Sequence, residues 1–207
     1  MDILKQIAPA SAVSFSGHRP ERLPGQGNPE MPETKKLASI LREQIEEAVL
    51  RDKDTFINGL MAGWDILAAE QTAALKNKYP HIKLVTVAPF SEGFFSREKC
   101  WTDEWITRAQ EIYKKSDINI SITEYYRPGI YYERNYALVD NSSELFCCWD
   151  GGKGGTKHTI QYAITQKLII KNFFKEGSIL TELKISDIIN PTKKVGGYKK
   201  WDRKNIT

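Results

Sequence analysis

A Glu-Arg-Asn triplet and a glycine-rich turn stand one strand apart in residues 131–156, and together they predict an anion-binding site. Glu133, Arg134 and Asn135 precede an apolar strand, and Asp150 begins the turn Asp-Gly-Gly-Lys-Gly-Gly-Thr that follows it. A glycine turn that opens a helix lets backbone N–H groups approach an anion, and the helix dipole adds to the attraction. The guanidinium is a planar, permanently charged donor suited to phosphate or carboxylate. The pattern predicts a phosphate-bearing small ligand, but not what happens to it.

The composition of the 207-residue chain is that of an ordinary globular protein, with 41% hydrophobic and 27% charged residues. Its length suits one α/β domain or two small ones. No run approaches the roughly 18 apolar residues needed to cross a membrane, and the first residues do not resemble a secretory signal. Cys100, Cys147 and Cys148 match no zinc site and no disulfide framework. We therefore expect reduced thiols, a cytoplasmic location, no metal and no membrane association.

The net charge of +4 is concentrated at the carboxyl end of the chain. Residues 190–207 hold six of the 30 basic residues and one of the 26 acidic ones. The rest of the chain is therefore almost neutral. A basic tail is able to contact nucleic acid, and a solvated terminus is the simpler interpretation. We predict a domain over 1–175 and a basic extension over 176–207.

Apolar strands alternate with amphipathic helices along the chain. Strands are predicted at 12–16, 55–57, 82–87, 118–122, 145–149 and 168–170, and helices at 33–51, 64–78, 95–115, 130–140 and 156–166. The strands read as continuous apolar runs, which is typical of a parallel sheet covered on both faces. The predicted fold is α/β: a Rossmann-like, doubly wound, mostly parallel sheet flanked by helices on both faces.

Four unusual loops follow strands of this predicted sheet. Ligands of open α/β sheets bind at the carboxyl ends of the strands, so these loops are predicted to meet at one edge. The first loop is not Gly-x-Gly-x-x-Gly, so the usual dinucleotide fingerprint is absent. The predicted ligand-binding residues are Gly17, His18, Arg19, Gly59, Met61, Ala62, Gly63, Asp65, Pro89, Phe90, Arg134, Asn135, Asp150, Gly154, Gly155 and Thr156.

Several of these residues have a structural alternative. His18 could hydrogen-bond within its loop, Arg19 could form a structural salt bridge, and Asp65 could cap a helix. Lys153 could be a solvated loop residue. The aromatic residues near the predicted edge are Phe90, Tyr131, Tyr132 and Trp149, and the helical stripe Phe94, Trp101, Trp105 and Ile112 reads as core or as a dimer surface.

Three loop motifs resemble one protein family. Ser-Gly-His-Arg-Pro, Gly-Leu-Met-Ala-Gly-Trp-Asp and Trp-Asp-Gly followed by Gly-Gly-Thr are similar to the YpsA-like branch of the SLOG superfamily, which is named for DprA and the LONELY GUY enzymes. The resemblance covers about residues 12–170. It implies a Rossmannoid domain that binds a nucleotide or nucleotide-derived ligand and forms a homodimer or higher homo-oligomer. The helix near 94–113 is a candidate interface.

LONELY GUY enzymes cleave the N-glycosidic bond of nucleoside monophosphates with a Glu-Arg-Lys helix and a Pro-Gly-Gly-x-Gly-Thr-x-x-Glu turn. By similarity Arg134 matches the arginine, while Asn135 replaces the lysine. The acid of the turn is also missing, since residues 157–159 are Lys-His-Thr. Such cleavage needs a carboxylate near an oxocarbenium-like transition state. The resemblance leaves Glu133 and Arg134 as catalytic candidates, with Asp65 or Asp150 as substitute acids.

Other SLOG domains bind NAD-derived signals, which requires a phosphate cradle, an arginine and a stacking surface but no catalytic acid. The resemblance therefore implies binding of a nucleotide or NAD/ADP-ribose-like ligand by a sensor or sequestering protein, with no resident cofactor. The first alternative is a phosphoribohydrolase-like N-glycosidase that acts on nucleoside monophosphates. The second is a DNA-associated, DprA-like module that uses the basic tail.

Overall fold

Parallel strands and helices alternate along the chain, as the hydrophobic pattern predicts. The computed structural model describes residues 3–174 and 178–179. Its strands are β1 (Ala12–Gly17), β2 (Thr55–Asn58), β3 (Lys83–Phe90), β4 (Ile118–Thr123), β5 (Glu144–Cys148), β6 (Ile169–Asn172) and β7 (Ser178–Ile179). Its α-helices are α1 (Pro32–Leu50), α2 (Trp64–Leu75), α3 (Asp103–Lys115), α4 (Ile130–Asp140) and α5 (Gly155–Thr165). Short 3₁₀ turns at Pro20–Arg22 and Phe94–Ser96 follow β1 and β3.

The strands form one sheet in the order β4-β3-β2-β1-β5-β6-β7. All neighbouring pairs from β4 to β6 are parallel, and the two-residue β7 is antiparallel to β6. The chain builds outward from β1 to β4 and then returns to the other side of β1 with β5. In doubly wound sheets the loops diverge at such a reversal and leave a crevice. The predicted fold class is confirmed, and the crevice is expected between the carboxyl ends of β1 and β5.

Helices cover both faces of the sheet. Helix α2 packs against both α1 and α3, while α4 packs against α5. Side chains that alternate along a strand enter different core clusters: Phe146 and Cys148 join residues of α1 and α2, whereas Leu145 and Cys147 join residues of α4 and α5. The adjacent cysteines therefore point to opposite faces, as their place on a strand predicts.

Two glycines let the end of β1 and its loop pack closely against the loop after β2 and the start of α2. A Cβ on Gly17 would lie 2.4 Å from the Trp64 ring. Gly63 has φ +101°, and a Cβ there would lie 2.5 Å from the carbonyl oxygen of His18. The Trp64 N–H donates to that same oxygen at 3.1 Å. Only glycine fits these two positions without displacing the neighbouring loop.

The third helix is shorter than the sequence pattern predicts. The predicted range of 95–115 is wrong at its start, because a 3₁₀ turn at Phe94–Ser96 and a stretch of irregular backbone precede α3. Thr102 is the N-cap residue, and its side chain accepts a hydrogen bond from the Trp105 N–H at 3.4 Å. Two acidic residues then occupy the first turn, where they interact favourably with the helix dipole. The cap sequence Thr-Asp-Glu was the local signal for the true start.

The aromatic stripe on this segment is core. Phe94, Trp101, Trp105 and Ile112 are all buried and pack in one cluster with residues of α2 and β3. The interpretation as core is confirmed, and these side chains do not form an exposed interface. Within the described ranges no helix is long and apolar enough to span a membrane. The predicted basic extension, apart from residues 178–179, lies outside the described residues.

Candidate functional site

A cavity of about 340 Å³ opens at the carboxyl end of β1, beside the glycine turn that follows β5. Its wall is built from the loop after β1, the first turn of α2, the segment after β3, helix α4 and the first turn of α5. The lining residues are Ser16, Gly17, His18, Arg19, Glu21, Arg22, Asp65, Glu98, Tyr131, Tyr132, Arg134, Asn135, Gly154, Gly155 and Thr156. The volume lies within the range of small-molecule sites.

The amino terminus of α5 faces this cavity. Its N-cap, Gly154, has φ +140° and contributes no side-chain cap. The first intrahelical hydrogen bond runs from the His158 N–H to the Gly154 carbonyl at 3.2 Å. The N–H groups of Gly155, Thr156 and Lys157 therefore precede the hydrogen-bonded ladder of the helix. Together with the helix dipole, these donors favour an anion in the cavity.

Arg22 joins the loop after β1 to the glycine turn after β5. Its Nε lies 3.0 Å from Asp150 Oδ2, and its Nη2 lies 2.5 Å from Asp150 Oδ1. The same carboxylate accepts a hydrogen bond from the Gly152 N–H at 2.8 Å. The hydrogen bond from Arg22 lowers the pKa of Asp150 well below its ordinary value, although burial opposes this shift. Asp150 therefore shapes the turn and holds Arg22 at the edge of the cavity.

His18 is buried between the same two loops. The Asp150 N–H donates to His18 Nε2 at 3.0 Å, and the Asp150 carboxylate lies 2.9 Å from the same nitrogen. Burial lowers the pKa of His18, and the nearby charge of Arg22 lowers it further, while Asp150 opposes both effects. His18 therefore contacts both the backbone and the side chain of Asp150 through the same ring nitrogen. The structural alternative for His18, a local hydrogen bond, describes this geometry.

Arg19 and Glu98 form an ion pair inside the cavity. Arg19 donates from Nε and Nη2 to Glu98 Oε2, at 3.2 and 3.0 Å. Tyr131 lies beside this carboxylate, and its hydroxyl is buried without a hydrogen bond of good geometry among the described residues. Burial and the neighbouring Glu98 charge raise the pKa of Tyr131, so the phenol stays protonated. Glu98 brings the segment after β3 into the site.

Arg134 is buried and joins α4 to the loop after β2. Its side chain is 5% exposed, its Nη1 donates to the Gly59 carbonyl, and the same nitrogen lies 3.6 Å from Asp65 Oδ2. Burial lowers the pKa of Arg134 to about 10, which leaves it charged at neutral pH. A Cβ on Gly59 would overlap the Arg134 guanidinium. Arg134 lines the cavity, and its Nη1 also fixes the neighbouring loop.

Asn135 connects α4 to α5 directly behind the cavity wall. Its Nδ2 donates to Thr159 Oγ1 at 2.9 Å, and its Oδ1 accepts from Arg134 Nε at 2.9 Å. Thr159 is fully buried and donates in turn to the Gly155 carbonyl at 3.0 Å. These two positions are the ones at which the LONELY GUY motifs place a lysine and an acid. In this chain they form a neutral, satisfied hydrogen-bond network.

The aromatic residue most accessible from the cavity is Tyr132. It is 47% exposed, and the His158 ring packs against it with a centroid separation of 4.6 Å. Phe90 is buried in a cluster of aromatic rings, and Trp149 is buried with its Nε1 donating to the Gly152 carbonyl. Neither lines the cavity, so Tyr132 is the ring best placed to stack on a flat ligand.

The structure brings nine of the predicted ligand-binding residues to the cavity and places the others around it. The nine are Gly17, His18, Arg19, Asp65, Arg134, Asn135, Gly154, Gly155 and Thr156. The predicted residues outside the lining are Gly59, Met61, Ala62, Gly63, Pro89, Phe90 and Asp150. The catalytic candidate Glu133 also lies outside it and pairs with Arg127, whose Nη2 lies 2.6 Å from Glu133 Oε2.

Three lining residues are not indicated by the sequence pattern. Glu21, Arg22 and Glu98 all line the cavity. Glu21 and Arg22 directly follow the Ser-Gly-His-Arg-Pro motif, so extending that loop by two residues would include them. Glu98 had no local signal, because its partner Arg19 is 79 residues away in the chain. In the described part of the chain, no group of three or more His, Cys, Asp or Glu side chains is arranged to hold a metal ion.

Comparisons with known proteins place the chain among bacterial relatives. Residues 13–175 match the family described as the YspA SLOG family. The chain is 30% identical over 137 residues to the SPbeta prophage-derived protein YoqJ of Bacillus subtilis strain 168. The aligned region covers 62% of this chain and 80% of that protein. It is 25% identical over 149 residues to a UPF0398 protein of Lysinibacillus sphaericus strain C3-41, covering 71% and 80% of the two chains.

Two solved structures share the fold. DNA processing protein A (DprA) from Streptococcus pneumoniae superposes with a TM-score of 0.51 at 17% identity, over 83% of this chain and 51% of that one. DNA processing protein A from Helicobacter pylori, described for its single-stranded DNA binding mode, gives a TM-score of 0.51 at 17% identity, over 82% and 67%. The chain thus spans about half the length of the S. pneumoniae protein. At this level of identity the likeness concerns the fold alone.

Proposed function

The chain belongs to the YspA SLOG family, and from that premise we propose that it binds a nucleotide or a nucleotide-derived, NAD- or ADP-ribose-like ligand in the cavity between β1 and β5. The resemblance inferred from the three loop motifs is confirmed by the family match. The observation that supports the proposal best is the amino terminus of α5, whose first-turn N–H groups face a cavity that also contains Arg19 and Arg22. In this role the protein is a sensor or sequesters its ligand.

The phosphate of the ligand lies at the first turn of α5. Backbone donors at a helix amino terminus bind phosphate without a counter-charge of their own. Arg22 stands beside this turn, since a Cβ on Gly152 would be 2.3 Å from its Nη2 and a Cβ on Gly154 would be 3.9 Å from its Nη1. An anion seated there would receive a charge-assisted hydrogen bond from Arg22 with a small movement of the side chain.

The base of the ligand stacks on Tyr132. The ring is half-exposed at the cavity and is supported from behind by His158. Burial lowers the pKa of His158, so its ring is neutral at pH 7. An aromatic ring accepts any base by stacking, so this contact favours nucleotides as a class and does not select one base.

Binding is favoured over N-glycosidic cleavage of the LONELY GUY type because the carboxylates in the matching motifs are missing or already engaged. Thr159 stands where the LONELY GUY motif has its acid, and it is buried and hydrogen-bonded. Glu133 pairs with Arg127 away from the cavity, and Asp150 is held by Arg22 outside the lining. Asp65 remains beside Arg134. None of the three carboxylates of Glu133, Asp150 and Asp65 is therefore a free acid or base that faces the sugar of a ligand.

A matched pair of variants tests the phosphate position. Gly155 is the first residue of α5, and a Cβ there meets open space. Gly155→Pro removes one backbone N–H at a position where helices accept proline, and Gly155→Ala keeps it. We expect AMP, NAD and ADP-ribose, screened by thermal shift and then by calorimetry, to yield a ligand that binds wild type and the alanine variant. The same ligand should bind the proline variant roughly tenfold or more weakly.

Two results would contradict this proposal. If none of these nucleotides raises the melting temperature of the wild-type protein, the cavity is not a nucleotide site. If a bound nucleotide is converted to free base, as chromatography of the incubated mixture would reveal, the N-glycosidase alternative replaces it. If the proline and alanine variants bind the ligand with equal affinity, the phosphate does not bind at the first turn of α5.

The DNA-binding alternative relies on other features. The H. pylori neighbour is described for single-stranded DNA binding, and residues 190–207 of this chain are strongly basic. Phosphate contacts of that kind weaken steeply with salt. A mobility-shift experiment with single-stranded DNA at low salt, with and without residues 190–207, tests it: no shift of the full chain excludes this alternative.

The remaining expectations concern assembly and location. Association as a homodimer or higher homo-oligomer stays a prediction, and light scattering of the purified chain checks it.

We also propose a cytoplasmic location, which is supported by three free cysteines, two of them buried.

A further inference from the structure

The cavity contains three carboxylates, and they differ in what already holds them. Asp65 is buried and lies 3.6 Å from the Arg134 guanidinium. Glu21 is exposed in the 3₁₀ turn after β1. Glu98 lies between these extremes, with a side chain that is 30% exposed and paired to Arg19. Glu98 is therefore the carboxylate that is both ordered and accessible to a ligand.

Glu98 is held through one of its two oxygens. Both Arg19 donors reach Oε2, and the Cys100 thiol lies 3.8 Å from the same atom. The Tyr131 hydroxyl lies beside the same carboxylate, although it makes no hydrogen bond of good geometry among the described residues. Burial alone would raise the pKa of Glu98, but the Arg19 charge and the neighbouring Tyr131, Arg19 and Cys100 donors bring it below its ordinary value. The result is an ionised carboxylate in a fixed position, and because a carboxylate has about four acceptor sites it is able to accept a further hydrogen bond from a ligand.

Glu98 and the phosphate site belong to different parts of the cavity wall. Glu98 is in the segment after β3, whereas the glycine turn follows β5, and β2 and β1 lie between these two strands in the sheet. A carboxylate repels phosphate and accepts hydrogen bonds from hydroxyl groups. The two parts of the wall therefore suit different parts of one ligand, an anionic group at α5 and a hydroxyl donor at Glu98.

We propose that Glu98 accepts a hydrogen bond from a ribose hydroxyl, so that the cavity selects ribonucleotides over their deoxy counterparts. This inference rests on the proposed nucleotide-binding function. It assigns the sugar to Glu98 instead of Asp65, whose carboxylate is occupied by Arg134 and by the Gly59 and Met61 backbone. Arg19 is a positioning residue for this contact, because it orients the carboxylate without contacting the sugar.

Calorimetry with paired probes tests the inference. The probes are AMP and NAD, each compared with the analogues that lack the adenosine 2′- or 3′-hydroxyl. We expect wild type to bind the ribose form about tenfold or more tightly than at least one deoxy form, because a lost hydrogen bond to a charged group has an effect of that size. In Glu98→Gln this preference should shrink to about twofold or less.

Control variants separate recognition from folding. Glu92→Gln removes an exposed carboxylate that follows the same strand but does not line the cavity, and it should keep the full preference. Glu98→Asp keeps the charge and withdraws it by one methylene, so it should weaken the ribose probe while the deoxy probe binds as before. Circular dichroism verifies that each variant is folded, and the ratio of ribose to deoxy affinity is insensitive to a uniform loss of stability.

The possible outcomes distinguish a failure of the Glu98 inference from a failure of the nucleotide-binding proposal on which it rests. If ribose and deoxy probes bind wild type equally, the role of Glu98 is overturned and nucleotide binding stands. An unchanged preference in both Glu98 variants likewise overturns it. If no probe binds at all, the proposed function fails and this inference fails with it.

Discussion

Asn135 and Thr159 form a 2.9 Å hydrogen bond that joins α4 to α5 immediately behind the cavity. By motif, these two positions would hold a lysine and an acid in a LONELY GUY enzyme. Here they are an uncharged pair whose remaining groups are satisfied by Arg134 and by the Gly155 carbonyl. The substitution turns a place for ionisable groups into an internal support for the first turn of α5.

Thr159→Val should destabilise the protein. The change keeps the shape of the side chain and leaves the buried Asn135 amide without its acceptor, which costs about 1–3 kcal/mol of unfolding free energy. Urea unfolding measures the difference. Thr165→Val, at an exposed position near the end of the same helix, is the control and should change stability by less than about 0.5 kcal/mol. Equal effects of the two changes would contradict the structural role of the pair.

Gly59→Ala should be among the most damaging single changes in the site. The added Cβ would overlap the buried Arg134 guanidinium, which has no space to withdraw without breaking its contacts to Gly59 and Asp65. A loss of roughly 2–4 kcal/mol is expected for overpacking combined with a disturbed buried charge. Thermal unfolding measures it. Gly155→Ala, where a Cβ meets open space, should melt at the wild-type temperature or slightly above it.

The Arg22–Asp150 pair predicts an acid-dependent loss of stability. The folded-state pKa of Asp150 is lowered, chiefly by Arg22, so its stabilising effect is fully present above the unfolded pKa of about 3.9. The effect is lost as the pH falls from that value through the lower folded-state pKa. Melting temperatures measured from pH 6 down to pH 2 should therefore fall less steeply below pH 4 in Arg22→Gln than in wild type. Parallel curves would show that the pair contributes nothing to this dependence.

Tyr132→Ala should weaken nucleotide binding without a comparable loss of stability. Base–aromatic stacking contributes about 1–3 kcal/mol, which corresponds to roughly five-fold to a hundred-fold in affinity. Tyr132→Phe keeps the ring and should bind nearly as wild type. Tyr113→Ala removes a similarly exposed tyrosine from α3 and is the control. Calorimetry with the ligand found in the thermal-shift screen measures the affinity of each variant. An unchanged affinity in Tyr132→Ala would show that this ring does not contact the ligand.

The fold could be predicted because each of its units is encoded locally. Continuous apolar strands such as Leu145–Cys148 and glycine turns at their carboxyl ends indicate a parallel sheet before any contact is known. The start of α3 was missed where a longer helical pattern outweighed the cap at Thr102. Capping depends on one side chain, so periodicity alone does not reveal it.

The site could be predicted only in part, because the roles of its residues depend on contacts that are distant in sequence. Arg134 is predicted to bind the ligand, and the structure shows that Gly59 and Asp65 both engage its Nη1. Glu98 was not considered, since its importance arises from an arginine that follows a different strand. A sequence indicates which residue types are able to do chemistry, and the packing decides which of them have atoms left for a ligand.

The loops that surround the cavity are fastened to one another on two sides. Gly63 approaches the His18 carbonyl and the Trp64 ring packs over Gly17, which joins the loops after β1 and β2. On the opposite side Asp150 ties the glycine turn to the loop after β1 through Arg22 and His18. A ligand longer or bulkier than the cavity would therefore have to break the Arg22–Asp150 pair in order to displace the glycine turn. Among relatives of this chain, differences in ligand size should accordingly be matched by differences in the length of that turn.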